Sequence, residues 1–401
     1  MHTISLAQLG SSGLSALPPL ALYIHFPWCV KKCPYCDFNS HAVRDANYPS
    51  GLPEAQYIDA LISDLESNLP QVWGRSVSSI FMGGGTPSLF SAASMDRLLE
   101  AIRARVKLNP DAEITLEANP GTFEIEKFAG YAAAGINRLS IGIQSFNAEH
   151  LSALGRIHNR DEALRAVEIA HQHFANFNLD IMYALPQQTL AQAQADIRLA
   201  IECNSTHLSA YHLTLEPNTL FHRYPPQLPD DDLAADMQEM IEAELASAGF
   251  GHYETSAFYK KSQNRDYRSQ HNLNYWQFGD YLGIGAGAHG KISFHDKIIR
   301  QARYKQPSEY LAKMAAGNAI QTENVVEKAE LPFEFMLNLL RLTEGFPLAL
   351  FTERTGLPQS KIFAEIERAC SEGLLERDLH WVKPTDKGQR FLNVLMERFL
   401  P

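Results

Sequence analysis

The amino-acid sequence predicts an α/β protein whose first half is a partial (β/α)6 barrel. Six short apolar runs alternate with amphipathic helical patterns, and strands that alternate with helices pair in parallel. Polar motifs follow directly after five of these runs. Because the C-terminal ends of parallel strands converge on one mouth of a barrel, where such folds carry their chemistry, we expect one functional site there.

The elements of this barrel follow from two periodicities. The predicted strands are residues 21–26, 79–82, 113–117, 138–143, 178–182 and 207–215. Apolar residues recur three and four positions apart, the spacing of an amphipathic helix, in residues 56–69, 94–106, 124–134, 161–174 and 191–203. The polar motifs after the later strands are GGGTP at 83–87, EANP at 117–120, QSF at 144–146 and Asp180 within NLDIMYALP.

The chain is expected to divide into four parts. Residues 1–19 form an N-terminal extension, 20–224 the barrel, 225–325 a linker and an aromatic, Gly-rich accessory region, and 326–401 a winged-helix-like module that completes an α+β extension. The accessory region is predicted to consist of a helix over 234–249 and then strands and turns. From Glu330 onward the chain carries 11 acidic and 9 basic residues. A winged helix that bound DNA would be basic, so we expect a packing module.

Composition limits the functional classes. The chain has 401 residues, 45% of them hydrophobic, and no apolar run of membrane-spanning length. Its formal net charge of −11 argues against a nucleic-acid partner, because such binding depends on neutralising phosphates. The first twenty residues lack a basic start and a sustained apolar centre, so we expect no signal peptide and a cytoplasmic location. Three of the five cysteines are clustered, which favours a metal or redox site over a disulfide framework.

The clustered cysteines, Cys29, Cys33 and Cys36, permit two metal sites. A structural zinc site needs four ligands, and His25 or His41 would have to complete the set. A 4Fe-4S cluster is held by thiolates, and three of them leave one iron open for a small molecule. The spacing of the cysteines alone does not decide between the zinc site and the 4Fe-4S cluster.

Several motifs resemble those of the radical S-adenosylmethionine (SAM) family. They are the C-x3-C-x2-C triplet after the first strand, the aromatic residue before its last cysteine, and GGGTP after the second strand. The resemblance implies a TIM-like radical SAM barrel and a 4Fe-4S cluster on Cys29, Cys33 and Cys36. It also implies that SAM chelates the open iron and is cleaved to a 5′-deoxyadenosyl radical.

Within that family the chain most resembles the oxygen-independent coproporphyrinogen III oxidases and their haem-chaperone paralogues, from about Leu20 to the C-terminus. The motifs that carry this resemblance are LYIHFPWCVKKCPYCDFNSH, FMGGGTPSLF, TLEANPGT, NRLSIGIQSFN, LGRIHN, NLDIMYALP and HNLNYW. The resemblance places SAM contacts on Tyr23, Tyr35, Gly84, Gly85, Thr86, Glu117, Gln144, Arg156 and Asp180. Carboxylates can accept from an ammonium or ribose hydroxyls, and an arginine can pair with a carboxylate. The competing interpretation makes Glu117 and Asp180 helix caps and Arg156 a surface charge.

One departure bears on function. The pattern of the oxidases is C-x3-C-x2-C-x-C, with a further cysteine two residues after the third. In this sequence Phe38 stands at that position. We therefore expect a haem chaperone that binds a 4Fe-4S cluster, SAM and haem, without coproporphyrinogen III oxidase activity but with SAM cleavage left open. The alternative is a radical SAM enzyme of the oxidase type; a zinc-stabilised hydrolase lacks a recognisable nucleophile and base.

The resemblance also points to a haem site and to partners. HNLNYW at 271–276 matches an HNxxYW signature associated with haem binding, and an imidazole is a common axial ligand of haem iron. His271 is the expected ligand, with His252 and His289 as competitors. The expected partners are haem-accepting proteins, with membrane-associated respiratory enzymes among them, and a homodimer is left open.

Overall fold

A computed structural model describes residues 13–43, 51–121 and 125–401, and its centre is a sheet of six parallel strands, as the sequence predicts. Apolar runs such as LALYIHF are buried along nearly their whole length, as expected for parallel strands covered on both faces. The strands up to residue 212 are β1 (Leu20–Phe26), β2 (Trp28–Cys29), β3 (His41–Ala42), β4 (Ser76–Gly84), β5 (Lys107–Ala118), β6 (Arg138–Gln144), β7 (Phe177–Tyr183) and β8 (His207–His212).

Helices connect these strands and pack on the outside of the sheet. They are α1 (Glu54–Val72), α2 (Ala92–Arg103), α3 (Phe128–Ala134), α4 (Ala148–Ala153), α5 (Arg160–His173) and α6 (Leu190–Glu202). Strands β1, β4, β5, β6, β7 and β8 lie side by side in that order and pair in parallel. Their C-terminal ends therefore meet at one side of the molecule. The predicted helix over 124–134 starts at residue 124, which lies outside the described residues.

The stretch after the barrel extends the same sheet at both edges. Its elements are α7 (Leu220–Arg223), α8 (Asp231–Ser247), β9 (Phe250–Glu254), β10 (Ala257–Lys260), α9 (Gln270–Trp276), β11 (Asp280–Ile284), β12 (His289–Ser293), β13 (Ile298–Arg303), α10 (Pro307–Ala315) and β14 (Ile320–Val325). Strand β10 pairs with β8, and β11 pairs in parallel with β1. The result is one sheet of twelve strands, in the order β14-β13-β12-β11-β1-β4-β5-β6-β7-β8-β10-β9.

The expectation of strands and turns in this stretch was wrong at HNLNYW, which lies in α9. Ser269 caps the helix by accepting a hydrogen bond from the Asn272 amide, and His271 and Asn274 form its buried face. Aromatic residues favour strands in general, but a serine N-cap and burial of one helical face outweigh that preference here.

The C-terminal part has the expected winged-helix-like arrangement and its own apolar core. Its helices are α11 (Leu331–Leu339), α12 (Ala349–Thr355), α13 (Ser360–Ser371), α14 (Asp386–Arg390) and α15 (Leu392–Glu397), and its strands are β15 (Phe346–Pro347), β16 (Leu375–Arg377) and β17 (Trp381–Pro384). The Arg300–Glu334 ion pair, at 2.7 Å, joins it to the large sheet. Among the described helices, none has the length and apolar character needed to cross a bilayer.

Candidate functional site

A cavity of about 400 Å³ opens at the C-terminal ends of the parallel strands. Most of the site residues expected from the sequence line it, namely Cys29, Cys33, Tyr35, Cys36, Gly84, Gly85, Thr86, Glu117, Gln144, Arg156 and Asp180. Tyr23 and His271 lie outside this lining. The fold thus brings together side chains that come from positions more than 150 residues apart in the sequence.

Cys29 ends β2, and Cys33 and Cys36 follow in the loop that leads to β3; we call residues 29–40 the cysteine loop. Strands β2 and β3 pair with each other through Trp28 and His41. All three are free and half-buried. Burial raises the pKa of Cys29 to about 11 and also raises that of Cys36. In the described residues no group of three or more His, Cys, Asp or Glu is arranged to hold a single metal ion. A 4Fe-4S cluster takes each thiolate on a different iron, so it does not need the three sulfurs around one centre.

His25 is not available as a zinc ligand, because both ring nitrogens are engaged. Nε2 lies 2.8 Å from the Asn39 carbonyl oxygen, to which it donates, so Nδ1 accepts from the Tyr23 hydroxyl at 2.9 Å. Burial lowers the pKa of His25 to about 4 and keeps the ring neutral. Tyr23 and His25 therefore support the wall behind the glycine loop, while burial raises the pKa of Tyr23.

The glycine loop lies directly against the cysteine loop. The Gly85 amide donates to the Phe26 carbonyl at 2.7 Å, and the Thr86 amide donates to the Trp28 carbonyl at 2.7 Å. A Cβ on Gly85 would lie 2.6 Å from the Trp28 oxygen, which is closer than a carbon and an oxygen can approach. Only glycine permits this backbone contact beside Cys29.

Glu117, near the end of β5, contacts the glycine loop at Gly84. Its Oε2 accepts from the Gly84 amide at 3.0 Å. Burial, and secondarily the nearby Asp180 carboxylate, raise the pKa of Glu117 to about 7, while the Gly84 amide opposes the shift. A cationic group of a ligand would favour the ionised form, so this carboxyl is suited to binding an ammonium.

Arg156 is half-buried and lies between the cysteine loop and the strands, so the interpretation as a free surface charge was wrong. One terminal nitrogen donates to Asn119 Oδ1 at 2.6 Å and to the Gly142 carbonyl at 2.7 Å. The other lies 3.9 Å from Cys33 Sγ. Asn119 in turn donates to Thr86 Oγ1 at 3.0 Å. Asn119 was not among the expected site residues, although it stands inside the EANP motif.

Asp180 lies within β7 and caps no helix. Its Oδ1 accepts from Asn178 at 2.7 Å and its Oδ2 accepts from Ser140 at 3.1 Å. Burial raises the pKa of Asp180, and these two hydrogen bonds oppose the shift. Gln144 ends β6 with φ +67° after an irregularity in the β6–β7 pairing. Such left-handed backbone at a residue other than glycine is often found at functional sites.

His271 lies beneath the cavity wall. Its Nδ1 is 3.1 Å from Ser79 Oγ, and its ring packs against Phe81 with centroids 5.1 Å apart. Burial, helped by the Arg138 charge, lowers the pKa of His271 to about 3. Phe81 and Asn272 form the adjoining part of the cavity wall. The imidazole is therefore neutral, as an iron ligand must be.

The barrel, the thiol triplet and the glycine loop together define a radical SAM protein. The Radical SAM superfamily profile matches residues 23–208, and the HemN C-terminal domain profile matches residues 326–391. The fold is similar to that of the coproporphyrinogen III oxidase HemN from Escherichia coli, with a TM-score of 0.80 and 23% identity over 99% of this chain and 93% of that one.

Curated relatives narrow this class further. The heme chaperone HemW of Escherichia coli (strain K12) is 48% identical over 386 residues, which cover 96% of this chain and 99% of the relative. The heme chaperone HemW of Haemophilus influenzae is also 48% identical, over 390 residues covering 96% and 98%. A mitochondrial radical SAM domain-containing protein 1 from Mus musculus is 34% identical over 96% and 88%. The chain belongs to the HemW family of radical SAM proteins.

Proposed function

We propose that the protein is a haem chaperone, which holds a 4Fe-4S cluster and SAM in the barrel mouth and passes haem to acceptor proteins. The observation that carries this proposal is the 48% identity to two proteins named heme chaperone HemW over nearly their full length. The acceptors are proposed to include membrane-associated respiratory enzymes.

The cysteine loop fits a 4Fe-4S cluster. Cys29, Cys33 and Cys36 supply three soft ligands along one cavity wall. Burial raises the pKa of the Cys29 and Cys36 thiols in the absence of iron, and binding to iron provides the positive charge that stabilises thiolates. When bound, the cluster would supply one-electron reducing chemistry beside SAM. The guanidinium of Arg156 beside Cys33 would further stabilise negative charge on sulfur.

The remaining cavity residues fit the polar groups of SAM. Glu117 and Asp180 are carboxylates for the ammonium and the ribose hydroxyls, and Arg156 is a cation for the carboxylate. The space beside the cysteines is lined by Tyr35, Gly84, Gly85 and Thr86. Gln144 adds an amide from the end of β6. Tyr23 would act from behind this wall, through His25.

Phe38 supports the distinction between a chaperone and an oxidase. Its side chain lines the cavity edge and is 59% exposed. A phenylalanine offers neither a ligand nor a proton at the position where the oxidase pattern has a further cysteine. This apolar edge is compatible with a macrocycle but contributes nothing to decarboxylation.

His271 is the proposed haem ligand, and this assignment is tested by a haem titration of H271A. We expect haem affinity to fall at least about tenfold and the Soret band to shift, because the axial imidazole is lost. The matched control is His252→Ala, which removes a half-buried histidine from the same region. Unchanged affinity and Soret position in H271A would assign the ligand elsewhere. A loss in the control instead would make His252 the ligand.

A further inference from the structure

Below Asp180, the barrel interior contains a continuous chain of buried polar groups. His207 Nδ1 lies 2.7 Å from Asn178 Oδ1, and His207 Nε2 lies 2.8 Å from the Tyr253 hydroxyl. The Ser269 amide donates to that hydroxyl at 3.2 Å. Asn178 Nδ2 contacts Asp180 Oδ1 at 2.7 Å. The chain therefore connects the N-cap of α9 to the carboxylate of Asp180.

Asn178 determines the direction of the first bonds. Its side chain must present the amide nitrogen to Asp180, because an oxygen facing the carboxylate would be repelled. The Asn178 oxygen then faces His207 and can only accept, so Nδ1 of His207 carries a proton. Ser209 also donates to this oxygen, at 3.1 Å.

His207 determines the direction of the others. Burial, with a contribution from the Arg138 charge, lowers its pKa well below the ordinary value, so the ring holds one proton. With that proton on Nδ1, Nε2 accepts from the Tyr253 hydroxyl, and the hydroxyl oxygen accepts from the Ser269 amide. Each group in this hydrogen-bonded series, from the Ser269 amide to Asn178, then donates one hydrogen bond to the next group in the direction of Asp180. Each bond fixes the orientation of the group that accepts it.

We infer that His207 is a positioning residue that holds Asp180 in the orientation required to bind SAM. It acts through Asn178: without the Nδ1 donor, the Asn178 oxygen keeps only the Ser209 hydroxyl as a hydrogen-bond donor among these contacts, and the amide is held less firmly in the orientation that donates to Asp180. The Asp180 carboxylate is then less well fixed in the position in which it faces the cavity. This inference rests on the proposed role of Asp180 in binding SAM.

The test compares two amides of different reach at position 207. In H207N the amide occupies the place of Nδ1 and keeps the donor to Asn178, whereas in H207Q it occupies the place of Nε2 and loses that donor. With cluster-loaded protein and SAM in a calorimetric titration, we expect H207N to bind within about threefold of the parent and H207Q to bind about tenfold more weakly, the effect of one hydrogen bond to a charged group. His171→Gln is the matched control, since His171 is exposed and its ring nitrogen Nε2 bonds to the Cys203 carbonyl, away from Asn178 and Asp180.

A double-mutant comparison distinguishes this inference from the proposed SAM site. We expect D180N to weaken SAM binding and H207Q to add nothing further in that background, because both changes act on one carboxylate. If D180N leaves SAM affinity unchanged, the proposed role of Asp180 is wrong. If D180N weakens binding while H207N and H207Q behave alike, or H207Q adds its full effect to D180N, the positioning role of His207 is overturned and the proposed function stands.

Discussion

Replacing Cys33 with serine should abolish the 4Fe-4S cluster. We expect the parent protein, reconstituted without oxygen, to hold about four irons and four sulfides per chain and to absorb near 400 nm. A serine hydroxyl is a poor iron ligand, and the other two cysteines leave two irons without protein thiolates. The same loss is expected for Cys29→Ser and Cys36→Ser. The measurements are iron content, sulfide content and the visible spectrum.

The control for this prediction is Cys370→Ser. Cys370 is a half-buried thiol of the C-terminal core, far along the sequence from the cysteine loop. This variant should reconstitute like the parent. Since the cysteine loop contains no other thiol, full iron content and an unchanged spectrum in C33S would show that the cluster is held elsewhere or does not form.

The second large effect is expected from Gly85→Ala. The new methyl group would lie 2.6 Å from the Trp28 oxygen and 2.8 Å from the Phe26 oxygen, and neither backbone group can move without displacing the strand that leads to Cys29. Overpacking of this kind costs about 1–3 kcal/mol of unfolding free energy. Because the displaced loop also carries Gly84 and Thr86, SAM binding should fall below detection in a titration of folded, cluster-loaded protein.

Gly317→Ala separates crowding from backbone strain. Gly317 has a positive φ, +92°, which Gly85 does not, and a Cβ there meets no atom within 4 Å. This variant should lose about 1 kcal/mol through strain alone and bind SAM normally. Normal SAM binding by G85A would instead mean that the glycine loop does not form the SAM site.

Much of the barrel could be predicted because local and tertiary preferences agree there. The run ending at Phe26 is both strand-forming in composition and buried in the structure. The helix over 160–173 follows the N-cap residue Asn159, whose capping box with Glu162 matches a pattern that can be read from the sequence. The predicted strand was too short mainly at β5, which begins at Lys107 because Lys107 and Leu108 already pair with β4 ahead of an irregularity.

The interior supports of the site could not be predicted, because they depend on pairings between distant strands. His207 and Tyr253 meet only because β9 joins the edge of the sheet next to β10 and β8. Asn39 likewise donates to Ala286 and Lys305 across more than 240 residues. No periodicity in the sequence indicates such contacts. The expected site residues of the cysteine and glycine motifs could be named because those motifs carry the resemblance to the radical SAM family.

The central claim is that this site serves haem binding and transfer, and one anaerobic preparation of the cluster-loaded protein tests it most directly when divided between two reactions. With haem, we predict a stable complex with a Soret band, from which an added apo-acceptor withdraws haem. With coproporphyrinogen III, SAM and a reductant, we predict no protoporphyrinogen IX above a control without protein. Product in the second reaction together with no bound haem in the first would contradict the account and make the protein an oxidase.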